Sequence, residues 1–311
     1  MRSRHLFPAL LVICAFLASA APSARPQTPA MEGYPAAGAP PVITLVTPGA
    51  APRKQLRYTV AAAQKARMDM ATTMSMATNM GGMSVPMDMP TMKMTVDLGV
   101  TAVAPNGDIT YDLAFTGLTM DSAADTNPAV AAALQGMAAG ITSIKGSATV
   151  SNRGVTKSTK LDVGDPAMKQ LLGQMTSSVE NLSMPFPEEA VGAGARWEVR
   201  QAITGGGQTV FQKAEYELVS IEGSAVSMKV KTEQTAPPQT VSNPALPAGA
   251  EMYLDKMSGS GTGTVVVHLD SLVPTSTLES TTSTAMTMNM SGQTISVTVD
   301  GKTKITIAPG K

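Results

Sequence analysis

From Tyr58 onward the chain alternates with a period of two, and no other feature narrows its fold so much. Even positions from Val60 to Met80 read Val, Ala, Gln, Ala, Met, Met, Thr, Met, Met, Thr and Met, while Lys65, Arg67, Asp69, Thr73, Ser75 and Asn79 hold odd positions. Successive side chains of a strand point to opposite faces, so this pattern describes a strand with one apolar and one polar face. At about 3.3 Å per residue, Gln64 to Met80 would reach roughly 55 Å. That exceeds an ordinary strand, so the segment is expected to bend, curl or break. Gly81-Gly82 marks the break, and Pro86 and Pro90 are expected to keep the next segment irregular. Alternation resumes through Met92, Met94, Val96, Leu98, Val100 and Ala102. The turn Pro105-Asn106-Gly107-Asp108 then returns the chain into Ile109, Tyr111, Leu113 and Phe115.

Ten methionines fall between Arg67 and Val103, with an echo at Met286, Met288 and Met290. Two chemistries compete for them. Thioethers are soft ligands, and Met80, Met83, Met87 and Met89 beside the Gly/Pro-broken connection have spacings suited to Cu(I) or Ag(I). The other reading is a wall of apolar side chains, each worth about 1.5–3 kcal/mol when buried. Met68 to Met80 and Met92 to Met94 share parity with Val96, Leu98, Val100 and Ala102, which cannot be ligands. Parity thus assigns these methionines to a strand face and leaves Met83, Met87 and Met89 in the connection. The wall reading is preferred, with Met70, Met74, Met76, Met94 and Met288 as its expected lining.

The middle of the chain predicts helices near 127–140 and 165–182. Each opens on a capping residue followed by proline, Asn127-Pro128 and Asp165-Pro166. Val130, Leu134 and Met137 make one stripe; Met168, Leu171, Leu172, Met175, Val179 and Leu182 make the other. A hairpin lies between them around Ser151-Asn152-Arg153-Gly154. The last third returns to strands, interrupted by a Pro-, Gly- and Ser-rich stretch from Thr235 to Gly263 expected to be a long loop. Strands on both sides of a helical middle predict an α+β fold: a strongly curved antiparallel sheet, a half-open barrel, with two amphipathic helices on its concave side.

Arg2 and Arg4, the apolar run Leu6–Ala18 and the small residues Ala18-Ser19-Ala20 read as an export signal over residues 1–20. The run is too short for a permanent membrane helix, and Cys14 lies inside it, poorly placed for lipid attachment. Residues 21–52 are rich in Ala, Pro and Gly and read as a flexible tether. Residues 53–311 read as a single domain. Its aromatic content is only 4%, so Met, Val, Leu, Ile and Ala must supply most of the core, and methionine makes such a core adaptable. The formal net charge is zero and no run of like charge suggests nucleic acid. After cleavage at Ala20, His268 is the only histidine and no cysteine remains. His268, between Val267 and Leu269, and the adjacent Glu188-Glu189 read as structural positions. No enzyme, cofactor or catalytic residue is expected.

Four stretches carry a likeness to known sequences. They are Leu56-Arg57-Tyr58; Asp165 to Leu172; Pro185-Phe186-Pro187 through Gly194-Ala195-Arg196-Trp197; and Tyr216-Glu217-Leu218. Together they resemble a family of uncharacterised exported bacterial proteins, known as a domain of unknown function, over most of residues 54–308. That resemblance implies no activity. At the level of fold, long antiparallel strands around two helices also look like the lipoprotein-carrier type, whose half-open barrel holds acyl chains. The expectation is an exported, periplasmic or extracellular binding protein for a lipid or other hydrophobic ligand. The alternatives are an envelope interaction module with a filled core and a Cu(I)/Ag(I)-binding protein.

Overall fold

Alternating Val, Thr, Met and Ile residues build one antiparallel sheet. The computed structural model describes residues 30–121, 140–162, 183–205, 208–241, 251–290 and 293–311. The strands are β1 (Val42–Thr47), β2 (Lys65–Met80), β3 (Met83–Asp88), β4 (Thr91–Val103), β5 (Ile109–Asp121), β6 (Lys145–Val150) and β7 (Thr156–Asp162). They continue as β8 (Arg196–Gly205), β9 (Gln208–Glu222), β10 (Ala225–Ala236), β11 (Gln239–Val241), β12 (Glu251–His268), β13 (Thr275–Met290) and β14 (Gln293–Pro309). Their order across the sheet is β1-β8-β9-β10-β12-β13-β14-β2-β4-β5-β6-β7, with β11 also paired to β12 and β3 to β2. Most pairs join strands close in the sequence; the long-range ones are β1 with β8 and, from Val297↔Met80 to Pro309↔Met68, β14 with β2. The latter pairing joins the two Met-rich segments in one surface.

The α+β half-open barrel with two helices on its concave side is overturned. The described residues are nearly all strand and include no helix, only residues 140–141 taking a helical turn. The segments expected as helices, 127–140 and 165–182, lie outside the described residues apart from Gly140. Among the described residues, what fills the sheet's inner face is extended chain. Leu56, Tyr58 and Val60 from one connection, and Phe186, Val191 and Ala195 from another, join Trp197, Tyr216, Tyr111 and Phe115 in one cluster. Tyr58, Phe186, Trp197 and Tyr216 form a row of ring contacts with centroids 5.4, 6.5 and 5.5 Å apart. Tyr58 lies close enough to both Tyr111 on β5 and Tyr216 on β9 for each to influence its ionisation. Those strands are seven places apart in the sheet order, so the sheet curls around this plug.

Hydrogen bonds lock the plug to the surrounding chain. The Met184 N–H donates to the Tyr58 hydroxyl and the Trp197 Nε1–H donates to the Pro185 carbonyl, each at 3.1 Å. Phe186 and Arg153 are tied by the Phe186 N–H on the Arg153 carbonyl at 2.8 Å and Arg153 Nε on the Phe186 carbonyl at 3.1 Å. The Pro185 to Trp197 stretch is therefore a piece of core and its seam. Burial pushes the Tyr111 phenol up to about 12, with a Ser183 hydrogen bond opposing it, and raises Tyr58 and Tyr216 as well.

Two departures from the sequence reading shape the rest of the molecule. The stretch expected as a loop from Thr235 to Gly263 contains β11 and most of β12. Gly259, Gly261 and Gly263 of β12 take inward positions where a Cβ would collide with the neighbouring strands; at Gly261 it would lie 2.7 Å from Thr232 Oγ1 and 3.0 Å from the Glu279 carbonyl. Glycine there allows the sheet to curve tightly. Toward the N-terminus, β1 pairs with β8 and Tyr34 packs edge-on against Phe211 at 5.3 Å, within a stretch whose composition reads as tether.

Candidate ligand face and methionine hairpin

The inner face of β2 begins in the core and leaves it. Met68 is 2% exposed and belongs to the core cluster, with Ala66 and Met94 packed against it. Twelve residues later, roughly 40 Å along the strand, Met80 is 48% exposed. Residues directly opposite in an antiparallel pair share a face, so the register shows what accompanies β2 outward. Met70 faces Met94 of β4 and Ile307 of β14. Met74 faces Thr303, and Met76 lies between Gly301 and Met87. Met80 lies between Val297 and Met83. Beyond Val297 the row continues through Met286 to Leu254, and Met288 sits between Ile295 and Met252. The five expected lining residues thus share one face, with Met288 removed from the other four by β14. Sequence reading did not include Met252, Leu254, Ile295 and Val297. The Ile295-Val297 alternation was visible, whereas the β12 pair lay in a stretch whose composition suggested a loop.

The connection after Met80 is itself a strand. Gly81 and Gly82 have φ of +58° and +82°, the left-handed pair that a two-residue hairpin requires. Met83, Val85 and Met87 then pair with Met80, Thr78 and Met76, on the same face as the wall. Farther along, the Met89 N–H donates to the Met74 carbonyl at 2.9 Å, which continues that register. Next, β2 pairs Thr72 with Met92 rather than with the residue this register would give. One extra residue near Pro90 makes a bulge that flips parity. Met83, Val85 and Met87 at odd positions and Met92 and Met94 at even ones therefore face the same way. The expected set Met80, Met83, Met87 and Met89 is regrouped: Met87 and Met89 stand opposite Met76 and Met74, while Met80 and Met83 close the turn.

Exposure on this hairpin is high: Met83 is 70%, Val85 57% and Met87 53% exposed. Pro86 faces the opposite side. By the alternation from Met74 and Met89, its nitrogen lies at the edge of β3 away from β2, where no strand pairs among the described residues, so the missing donor costs no ladder bond there and obstructs strand addition.

The solvent-facing side has different chemistry. A shallow groove of about 630 Å³ crosses β12, β13, β14, β2 and β3, with Ser258, Ser260, Thr281, Ser283, Asp300 and Lys302 among its lining. Its neighbour, about 470 Å³, contains Glu279 and Lys304, paired at 2.8 Å. The Lys304 hydrogen bond holds the Glu279 carboxyl below its usual range. These grooves offer hydroxyls and paired charges. His268 lies on this side by alternation with buried Val267, opposite Ala225, and Glu188 lies 3.7 Å from Arg153. Among the described residues no group of three His, Cys, Asp or Glu side chains is placed to hold a metal ion, and no helix is long and apolar enough to cross a membrane.

The sequence matches a family described as a family of unknown function (DUF6263) over residues 71–272, and the chain belongs to that family. None of the curated proteins matches it. Among solved structures, the crystal structure of Pseudomonas aeruginosa OpdQ aligns at 7% identity with a TM-score of 0.22, covering 79% of this chain and 98% of that one. So loose a superposition does not establish a shared fold.

Proposed function

We propose that this DUF6263 protein is an exported, non-enzymatic binding protein that holds a hydrophobic ligand, such as an acyl chain, against the inner face of its sheet. One observation carries the reading. Apolar residues do not stop where the core cluster stops but recur on the same face across β12, β13, β14, β2 and β3, partly or largely exposed except for Leu254 and interrupted at Gly301 and Thr303. Full burial of a Met, Val or Ile side chain is worth about 1.5–3 kcal/mol, so a ligand covering several half-exposed ones gains several kcal/mol before its own ordering cost. Methionine suits such a wall because its three rotatable bonds let it adapt to chains of different shape. The basic, apolar and small-residue segments of residues 1–20 supply the export signal in this reading.

Two measurements test it. Native mass spectrometry of the mature chain, purified without detergent, is expected to show a co-purifying apolar molecule. A fluorescent fatty acid is expected to bind, and Met288→Glu and Val297→Asp are expected to weaken it at least tenfold, while Lys302→Ala on the opposite face leaves it unchanged. Equal binding by all three variants would overturn the proposal.

A further inference from the structure

We infer that the β2–β3 hairpin is a site for one soft monovalent cation, Cu(I) or Ag(I), held by the thioethers of Met74, Met76, Met87 and Met89. This goes beyond the ligand reading and does not depend on it. Met76 and Met87 are directly opposite in the register, and the Met89 N–H bonds the Met74 carbonyl, so the four form a two-by-two block on one face. Opposite Cβ atoms in such a pair are about 5 Å apart, and residues two apart along a strand are separated by roughly 6.6 Å. The centre of such a block lies within about 4–5 Å of each Cβ by those spacings. That is within reach of a methionine sulfur plus a coordination bond.

Placement argues that methionine is there for its sulfur. On the same face inside the core, Met68 stands among Val96, Leu98, Val100, Ile109, Tyr111 and Leu113, mostly the branched and aromatic types that strands favour. Toward the hairpin tip methionine predominates as the face becomes exposed, with Met83 and Met87 more than half exposed. Burial does not account for an unbranched side chain at such positions, and strand propensity disfavours it relative to Val or Thr. Neutral thioethers also select among metals. From Met70 through Met89 the one ionisable side chain is Asp88, paired with Ser75 on the opposite face, so hard cations such as Ca²⁺ or Mg²⁺ find no carboxylate of this stretch on the methionine face, whereas Cu(I) and Ag(I) prefer sulfur. Met80 and Met83, paired across the glycine turn, stand nearer the tip as a two-sulfur entry point.

The test uses the full mature chain and replaces sulfur without replacing apolar volume. Silver(I), which needs no reductant, is titrated into the native protein and into Met87→Leu/Met89→Leu while methionine methyl resonances are followed. One equivalent is expected to be retained through desalting, with shifts concentrated on Met74, Met76, Met87 and Met89. The double variant is expected to lose silver affinity at least tenfold at unchanged stability. Failure to retain silver at one equivalent would overturn the assignment. So would equal retention by the leucine variant, or shifts spread evenly over the protein's methionines. Leucine preserves the apolar volume at both positions, so loss of silver by the folded double variant assigns the effect to sulfur.

Discussion

Met68 and Met80 occupy the same face of the same strand, yet one is in the core and the other is nearly half exposed. Around Met68 the sheet curls over chain that comes back to fill it: Leu56, Tyr58, Phe186 and Val191 stand against Val96, Phe115, Trp197 and Tyr216. Around Met80 the apolar row runs sideways through Val297 and Met286, reaching full burial only at Leu254. The base and the outer arm have the same backbone architecture. Their difference shows that two-residue alternation reports which way side chains point, while packing by distant segments decides whether that face becomes core or working surface.

The comparison breaks most visibly at Trp197. Trp197→Ala removes the largest fully buried side chain of the base and is expected to cost about 3–5 kcal/mol in chemical denaturation. Alkali should attack the base next. Tyr58, Tyr111 and Tyr216 have raised values, Tyr111 to about 12. A buried phenol with a raised value keeps its proton in the fold after the unfolded chain has lost it. Its contribution is therefore complete below pH 10 and declines as pH rises from 10 through 12, by about 1.4 kcal/mol per pH unit for each tyrosine. Denaturation midpoints measured from pH 9 to 12 should fall together with a delayed tyrosinate absorbance; a flat profile would mean that these rings are hydrated.

Smaller effects distinguish the bend from the arm. Gly261→Val places atoms within 3.0 Å of the Glu279 carbonyl and the Ser280 Cβ and is expected to cost about 1–3 kcal/mol. The same substitution at half-buried Gly99, where a Cβ meets nothing within 4 Å, serves as the control. Met83→Thr on the exposed hairpin should shift stability by less than about 0.5 kcal/mol. A larger loss would show that the hairpin face is covered in solution. Pro86→Thr should leave stability similarly unaffected but restore a donor to the edge of β3 away from β2. Concentration-dependent association by light scattering would then reveal the guarding role of the proline.

Much of the strand inventory was legible because the alternation at Val60–Met80, Met92–Ala102 and Ile109–Phe115 is strong. The lining expected at Met70, Met74, Met76 and Met94 follows from the same parity, and the register places these residues on one face. Counting parity straight through the chain failed at Met83, Met87 and Met89. A two-glycine turn and a single added residue near Pro90 restore a common face, and an insertion of one residue is invisible until the partner strand is known. Gly259, Gly261 and Gly263 misled in the opposite way. Glycine and serine suggested a loop, whereas the missing side chains are required where β10 and β13 crowd the inner face of β12.

The sequence by itself determined that long strands would form, which face of each would be apolar, and where tight turns would fall, because these depend on local backbone sterics and a two-residue period. Tertiary structure alone decided that β14 joins β2, uniting methionines more than 200 positions apart. It also decided that the inner face near the base is filled by Tyr58, Phe186 and Trp197. Pairing between distant strands depends on the closure of the whole sheet, and no local pattern of residues records it.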